Sequence, residues 1–366
     1  MKINTNKLKE KLDILSKAVG NNKLIPITSM IGIKTAKTES NKILLHTTDA
    51  TNYLTAMLDV ENIEGLELDV TITFDTFYKL ITKTTTDLIV VTDKDKYLEV
   101  SANGTYKFDK LLTEEGNYYS FKSKSLNRND NNVEEFTINK VDVEKIKKVN
   151  TPSLATTLEL PALTGYYVGN KVVSSDSFVM TQLNKEIVTT PIILSSKVID
   201  IASALEKETL KLNIAGNDIA ISTDEYLLVS SVVDTVNNYP INDIDALMNN
   251  SEFKGTAKIS IKSLLDTIDR LSLFVTTYDN QAINLSFTGN KLVITSKSTN
   301  GVEMIDLEET NEMLSGTDIN CSVNIEYMKK ELSSIDEDKV EVCYGNENFV
   351  TFKTAEVTKY ICTLEE

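Results

Sequence analysis

Residue types that commonly build active sites and metal sites are scarce in this chain of 366 residues. It has no tryptophan and one histidine, His46, which lies in the β-like run KILLHTTD. A histidine metal cluster needs a second histidine, and a lone histidine in a strand is more typical of a core than of a catalytic base. The three cysteines, Cys321, Cys343 and Cys362, are odd in number and make no C-x-x-C spacing, which predicts reduced, buried thiols. We therefore expect no metal and no cofactor.

Glycine is also sparse, at 13 residues, and neither G-x-x-x-x-G-K-[ST] nor G-x-G-x-x-G occurs. This excludes the usual backbone cradles for nucleotide phosphates. Aspartate and glutamate are abundant, but no pattern selects two of them for general acid and base catalysis. We expect no catalytic residues, and an enzyme with an unrecognised acidic site is the least favoured interpretation.

Long apolar runs are missing as well. No stretch approaches the roughly 20 apolar residues that cross a bilayer, and the opening MKINTNKLKEKLDIL alternates charged with apolar side chains. We expect no membrane association and a cytoplasmic location. The composition, 41% hydrophobic and 25% charged, is typical of a folded protein, and the length suits two or three domains.

Six amphipathic helical segments recur along the chain, each opening at a polar residue and each following a β-rich stretch. The second and fourth helix starts are separated by 121 residues, and so are the third and fifth. The helices therefore recur as pairs. The predicted starts are Asn6, Asp75, Asn139, Ser196, Ser260 and Asn324.

Two sets of β-hairpins recur with the helices, and each hairpin reads as strand, polar turn, strand. The first set lies at 87–101, 210–222 and 339–353, and the second at 43–58, 171–183 and 291–307.

Three copies of one structural unit follow from this pattern. We predict three domains of one kind at 1–125, 126–252 and 253–366, joined through the polar stretches 123–136 and 249–255. The fold class is α+β, with two helices packed on antiparallel sheets in each domain.

Positive charge is concentrated in the predicted helices, although the chain carries a formal net charge of -16. Their 69 residues hold 16 of the 38 Lys and Arg but 11 of the 54 Asp and Glu. The excess lies in the first three helices, and the last three sum to zero. The alternative explanation of this excess is structural: lysine is a good helix former and is common on solvated helix faces. The segments counted are 6–19, 75–84, 139–149, 196–207, 260–271 and 324–333.

If the three domains curve so that the helices line one concave face, an acidic protein would present a basic surface to a phosphate backbone. Lysine suits weak, sequence-blind contact because it is a mobile point charge that does not read base edges. The candidate DNA-facing residues on the helices are Lys7, Lys11, Lys17, Lys79, Lys83, Lys140, Lys145, Lys148, Lys197 and Arg270.

The residues resemble those of the β subunit of bacterial DNA polymerase III, the DNA sliding clamp, over the whole chain. The run SIKSLLDTIDRLSLFV at 260–275 is similar to the opening helix of the third clamp domain, with its typical Leu-Leu-Asp-x-x-x-Arg-x-Ser-Leu-Leu pattern. No single match is decisive, but their order and spacing agree with the family. The other similar stretches are 23–34, 44–54, 172–180, 233–241 and 326–335.

The resemblance implies a head-to-tail homodimer that closes into a ring around duplex DNA, with a DNA polymerase catalytic subunit and a clamp loader as partners. Leu273 and Phe274 would face Tyr106 and Phe108 across the dimer interface, with ordinary core packing as the alternative for all four. Lys23, in the loop after the first helix, resembles a clamp position that touches DNA.

Clamps also bind short peptides in a hydrophobic pocket between the second and third domains. This sequence departs most from the family here: Ser175–Met180 reads SDSFVM where Thr-Asp-Gly-His-Arg-Leu is common. The usual Met-Pro-x-Arg ending becomes CTLEE at 362–366. The pocket is therefore expected to be more apolar at one wall and more acidic at its rim. Its implied lining is Leu160, Ser175, Ser177, Phe178, Val179, Met180, Pro240, Ile244, Ile361, Thr363 and Leu364.

Two functions of different class remain open from the sequence. The first is a processivity clamp that encircles DNA. The second is a clamp-like interaction scaffold that binds proteins without encircling DNA, which the altered pocket and the neutral last three helices favour.

Overall fold

The computed structural model describes residues 1–36, 41–61, 67–126, 133–296, 300–312 and 318–364. Its helices are α1 Thr5–Leu15, α2 Phe74–Lys83, α3 Lys140–Asn150, α4 Ser196–Ala204, α5 Ile241–Asn249, α6 Ile261–Leu271 and α7 Ile325–Leu332. Its strands are β1 Lys2–Asn4, β2 Met30–Thr35, β3 Lys42–Thr48, β4 Tyr53–Asp59, β5 Asp69–Thr73, β6 Leu88–Asp93, β7 Tyr97–Ser101, β8 Thr105–Asp109, β9 Glu134–Asn139, β10 Gly165–Val168, β11 Val172–Ser175, β12 Val179–Leu183, β13 Ile192–Ser195, β14 Thr209–Ala215, β15 Asp218–Ser222, β16 Tyr226–Ser231, β17 Gly255–Ser260, β18 Ala282–Thr288, β19 Lys291–Ser296, β20 Val302–Asp306, β21 Glu308–Glu312, β22 Ile319–Asn324, β23 Lys339–Tyr344, β24 Phe349–Lys353 and β25 Val357–Cys362.

All six predicted helices are present, each within one residue of its predicted start. Polar caps fix several of these starts. The Asn324 side chain accepts the backbone N–H groups of Glu326 and Tyr327 at 2.9 and 3.1 Å, and Asn4 accepts that of Lys7 at 3.0 Å. Such a cap contributes about 1 kcal/mol by satisfying an N–H that has no partner inside the helix.

The chain forms two compact units, and the first comprises Met1–Val143 and Lys197–Val232. It contains a four-stranded sheet in the order β1-β6-β7-β8 and an eight-stranded sheet in the order β5-β2-β3-β4-β16-β15-β14-β9. The eight-stranded sheet joins strands from the first two predicted domains, because β4 pairs with β16 and Leu54 lies opposite Leu228. Helix α1 buries Leu8, Leu12 and Leu15 completely and contacts α2 and β4.

The second unit comprises Glu144–Ser196 and Val233–Glu366. Its nine-stranded sheet runs β13-β10-β11-β12-β25-β24-β23-β17-β21, and its four-stranded sheet runs β20-β19-β18-β22. Strand β12 pairs with β25, so this large sheet joins strands from the second and third predicted domains. In the core, α6 and α7 pack over Phe287 and Tyr344, whose rings stack with centroids 3.9 Å apart.

All six predicted hairpins are present as adjacent antiparallel strands. The architecture is therefore the predicted α+β arrangement of helices packed on antiparallel sheets. The three-domain division remains a prediction from the sequence repeat. Residues 127–132 of the predicted first boundary lie outside the described residues, as do Glu365 and Glu366 of the predicted acidic ending.

Helix α5 was not predicted. It follows Pro240 without a side-chain cap hydrogen bond and buries no residue completely, so it gives neither a capping nor a strong periodic signal. In the described part of the chain, no helix is both long enough and apolar enough to cross a membrane.

Candidate DNA-facing, peptide-binding and interface surfaces

Six of the basic side chains predicted to face DNA form ion pairs within their own unit. A carboxylate beside each ammonium or guanidinium offsets its charge, so these groups attract a phosphate less than free cations would. Lys11 also lies over the Tyr226 ring, 4.2 Å from its centroid. The pairs are Lys11–Glu225, Lys17–Asp200 at 3.2 Å, Lys79–Asp75 at 2.7 Å, Lys145–Glu356, Lys148–Asp336 and Arg270–Glu303 at 2.5 Å.

Four predicted DNA-facing lysines, Lys7, Lys23, Lys83 and Lys197, make no ion pair with any described residue. Lys7, Lys23 and Lys83 are exposed, and Lys197 is half-buried near the start of α4. Their ammonium groups are the ones best placed to exchange water for phosphate oxygens. The remaining predicted residue, Lys140, opens α3 and is half-buried.

The four predicted dimer residues lie on strand β8 of the first unit and in the 3-10 turn Ser272–Phe274 of the second. Strand β8 is an edge of its sheet and carries Tyr106, which is exposed, and Phe108, which is 7% exposed and packs edge-on against Phe77. In the other unit, Leu273 and Phe274 follow α6 and are 80% and 46% exposed. Three of the four side chains are thus exposed, whereas the Phe108 ring belongs to the core of its own unit.

A cavity of about 310 Å³ lies beside Tyr106. Besides Tyr106, the lining residues are Lys79, Leu80 and Lys83 of α2 with Thr84, Thr85 and Asn103. Its lining therefore combines apolar side chains with two lysines, of which Lys79 is paired with Asp75.

Two of the predicted peptide-binding residues, Met180 and Ile244, belong to a small apolar cluster in the second unit. Met180 of β12 packs in this cluster with Leu163, Tyr167 and Tyr239, and Ile244 of α5 covers one side. Of the other predicted residues, Leu160, Ser177 and Phe178 are exposed, and Phe178 stacks on Tyr327 of α7 with ring centroids 6.0 Å apart. Ser175 is buried, and its hydroxyl donates to the Val179 carbonyl at 2.9 Å. Pro240, Thr363 and Leu364 are half-buried.

Two predicted lining residues, Val179 and Ile361, face the other side of the sheet. They lie opposite each other on β12 and β25, and both are buried in the main core of the unit beneath α6 and α7. Side chains alternate along a strand, so the neighbours Met180 and Tyr360 take the opposite face and pack in the apolar cluster. Tyr360 therefore takes the place that the sequence prediction gave to Ile361.

A buried charged group lies behind this surface. Lys359 donates to Glu331 at 2.8 Å, and both side chains are completely buried. Ser153 and Thr181 donate to the two Glu331 oxygens at 2.9 and 3.0 Å, and Lys359 also donates to the Val149 carbonyl. The group ties α7 and β25 to β12 and to the end of α3, and no sequence motif indicated it.

The sequence predicts that His46 and the three cysteines are core side chains. His46 is buried and stacks on Phe121 at 5.6 Å, and burial lowers its pKa to about 4. All three cysteines are free thiols, as predicted, but Cys343 is buried, Cys321 is half-buried and Cys362 is exposed. Among the described residues, no three His, Cys, Asp or Glu side chains form a group that could hold a metal ion.

The fold of this chain is similar to that of known proteins. Residues 250–359 match the family described as DNA polymerase III beta subunit, C-terminal domain. The whole chain superposes on solved DNA polymerase III beta subunits and sliding clamps. The fold is that of a DNA sliding clamp.

Three solved structures illustrate the match, each covering 100% of this chain. The Thermotoga maritima DNA polymerase III beta subunit gives a TM-score of 0.82 at 16% identity over 99% of its own chain. The Bacillus subtilis sliding clamp gives 0.84 at 17% identity over 98% of its chain. The Pseudomonas aeruginosa sliding clamp bound to griselimycin gives 0.84 at 15% identity over 99% of its chain. No curated protein matches the sequence.

The clamp fold confirms the resemblance drawn from the sequence, and the family match falls on the segment that carries the best local motif, 260–275. At these identities the likeness shows the fold alone, so the contacts of this protein depend on its own residues.

Proposed function

We propose that this protein is a DNA sliding clamp: a homodimeric ring that encircles duplex DNA in the cytoplasm and confers processivity on a replicative DNA polymerase. The observation that carries the proposal is the sliding-clamp fold over the full chain, together with the family match of residues 250–359. A sliding clamp acts mechanically and catalyses no reaction. A closed ring holds its partner on DNA by topology, so it requires neither catalytic groups nor tight DNA contact.

Contact with DNA would rest mainly on Lys7, Lys23, Lys83 and Lys197, the lysines without an acidic partner among the described residues. Lysines bind phosphates as point charges and do not distinguish bases. A few such contacts, each exchanged with counterions, give the weak and sequence-blind attraction that allows sliding.

Dimer formation would join the edge strand β8 of one subunit to the edge strand β20 of the next. Both edges are open, and β20 exposes Val302 and Met304 beside Leu273 and Phe274. Open edges with exposed apolar side chains favour association. The cavity beside Tyr106 offers room for Leu273 or Phe274 of the partner. This pairing uses different surfaces on the two subunits, so two such interfaces close the ring.

Partner proteins, including the polymerase subunit and a clamp loader, would dock short peptides on the apolar cluster around Met180 and Tyr360. The lining proposed from the described residues keeps Met180 and Ile244 of the cluster with the adjoining Leu160 and Pro240, and replaces Ile361 by Tyr360. A few buried anchors supply most of the affinity in such sites.

A second function is favoured by one observation: six of the ten predicted DNA-facing helix residues are ion-paired. A clamp-like scaffold that binds proteins without encircling DNA would need no free positive charge. Retention on DNA separates the two functions. A ring stays on a closed DNA circle and leaves once the circle is cut, whereas a scaffold is retained in neither case.

A further inference from the structure

The proposed peptide surface is bordered by carboxylates. Glu159 precedes Leu160, and Asp243 precedes Ile244 in the first turn of α5. Glu347 adjoins the C-terminal strand, since its carbonyl accepts the Thr363 hydroxyl at 2.6 Å. All three side chains are exposed, and none makes an ion pair with a described residue.

A fourth carboxylate, Asp176, is fixed in the turn before β12. Its Oδ1 accepts the backbone N–H groups of Phe178 and Val179, both at 2.9 Å. This turn lies against the end of β25, where the Cys362 thiol is 3.8 Å from the Ser177 carbonyl oxygen. Cys362 in turn donates its backbone N–H to the Phe178 carbonyl at 2.9 Å.

Two lysines near this border are engaged by other groups. Lys171 pairs with Asp245 of α5. Lys353 lies over the Phe253 ring, 5.4 Å from its centroid, in an aromatic group that continues through Phe349 to Tyr360. The border therefore has four carboxylates without a cationic partner among the described residues around an apolar floor. Against them stand one exposed lysine, Lys254, beside Gly345, and two lysines held against other groups.

We propose that the peptide taken by this surface carries lysine or arginine beside its apolar anchors. This inference rests on the proposed function, because it assigns the chemistry of the partner at the same docking site. Apolar anchors bury against Met180, Ile244 and Tyr360, and basic flanking residues meet Glu159, Asp176 and Asp243. An acidic peptide would meet like charges on the same border, which lowers both its encounter rate and its affinity.

The test uses the full-length protein and two fluorescent peptides with the same core of two leucines and a phenylalanine. One peptide is flanked by two lysines on each side and the other by two aspartates. Fluorescence anisotropy at low salt should give about tenfold tighter binding of the lysine peptide, since several rim charge pairs contribute together, and added salt should reduce the difference. Glu159→Lys with Asp243→Lys should reverse the preference.

A matched control, Glu114→Lys with Glu115→Lys, makes the same charge change at an exposed turn of the first unit and should keep the lysine preference. Ile244→Glu should weaken both peptides, because it places a charge in the apolar floor. Equal affinities, or tighter binding of the aspartate peptide, would overturn the charge inference while Ile244→Glu still identified the docking site. No binding of either peptide would overturn the docking site as well.

Discussion

The ammonium of Lys359 lies 2.8 Å from Oε2 of Glu331, and neither side chain has any exposed surface. The Glu331 carboxylate also accepts hydrogen bonds from Ser153 and Thr181, so both its oxygens are satisfied. This pair fastens the last helix and last strand of the chain to β12, directly behind the proposed peptide surface. Burial of a charge is tolerated only while its partners remain.

We predict that Lys359→Met destabilises the protein by roughly 3–5 kcal/mol, because it leaves the Glu331 carboxylate buried without its cation. Urea unfolding followed by circular dichroism measures the loss of stability. The double variant Lys359→Met with Glu331→Leu removes both charges and should recover most of it. If the single variant unfolds at the same urea concentration as the parent, the Lys359–Glu331 pair does not stabilise the fold.

His46 should make stability depend on pH. Burial, and next the charge of Lys34, lower its pKa to about 4, and Asp69 opposes this. Between about pH 4 and 6.5 the unfolded chain therefore binds a proton that the folded chain excludes. Stability contributed by His46 is present above pH 6.5 and falls as the pH is lowered to 4, by about 3 kcal/mol in total.

The measurement is the free energy of unfolding against pH for the parent and for His46→Phe, which keeps a ring beside Phe121. The parent should show the steeper fall below pH 6.5, and carboxylates elsewhere contribute equally to both proteins. Identical slopes would show that His46 is protonated in the folded state as readily as in the unfolded one.

The free lysines should carry the DNA contact. Lys7→Gln, Lys83→Gln and Lys197→Gln together should reduce the slope of log affinity against log salt by roughly 0.9 for each phosphate that a lysine no longer neutralises. The matched control neutralises three ion-paired lysines, Lys17, Lys79 and Lys145. Anisotropy on a linear duplex measures both slopes. Equal reductions in the two triple variants would mean that ion pairing does not select the contacting lysines.

The dimer should depend on the two apolar residues after α6. Leu273→Ala with Phe274→Ala removes the anchors proposed to fill the cavity beside Tyr106, and truncations of this kind commonly cost several kcal/mol of association. Light scattering should then report one chain, 40.8 kDa, in place of two. Leu24→Ala with Val141→Ala alters two other exposed apolar residues and should leave the dimer mass unchanged. A dimer that survives the first pair contradicts the proposed interface.

Local signals predicted much of this clamp fold. Polar caps and apolar spacing located six helices within one residue, and alternating strands about polar turns located the hairpins. The same alternation could have separated Tyr360 from Ile361, since Val179 and Ile361 share one face of paired strands, but the pairing of β12 with β25 is not visible in a single sequence.

The charged features could not be predicted in the same way. Glu331 and Lys359 look like ordinary surface charges, and the sequence does not indicate that folding buries them against each other. Likewise, a density of lysines on helices gives no indication that Lys11 meets Glu225 or that Lys145 meets Glu356, more than 200 residues away in both cases. Such pairs depend on tertiary contacts across the sheets, which residue spacing alone does not encode.

The central claim is that the protein encloses DNA, and retention on a closed circle tests it most directly. Purified protein is incubated with nicked circular DNA and a clamp loader. Gel filtration separates DNA-bound protein from free protein, and the amount of bound protein is measured before and after a single restriction cut of the circle. The clamp account predicts that protein co-elutes with the intact circle at moderate salt and dissociates when the circle is linearised. If the protein is not retained on the intact circle, the result contradicts a ring and favours the scaffold. If it is retained equally before and after the cut, the result contradicts a ring.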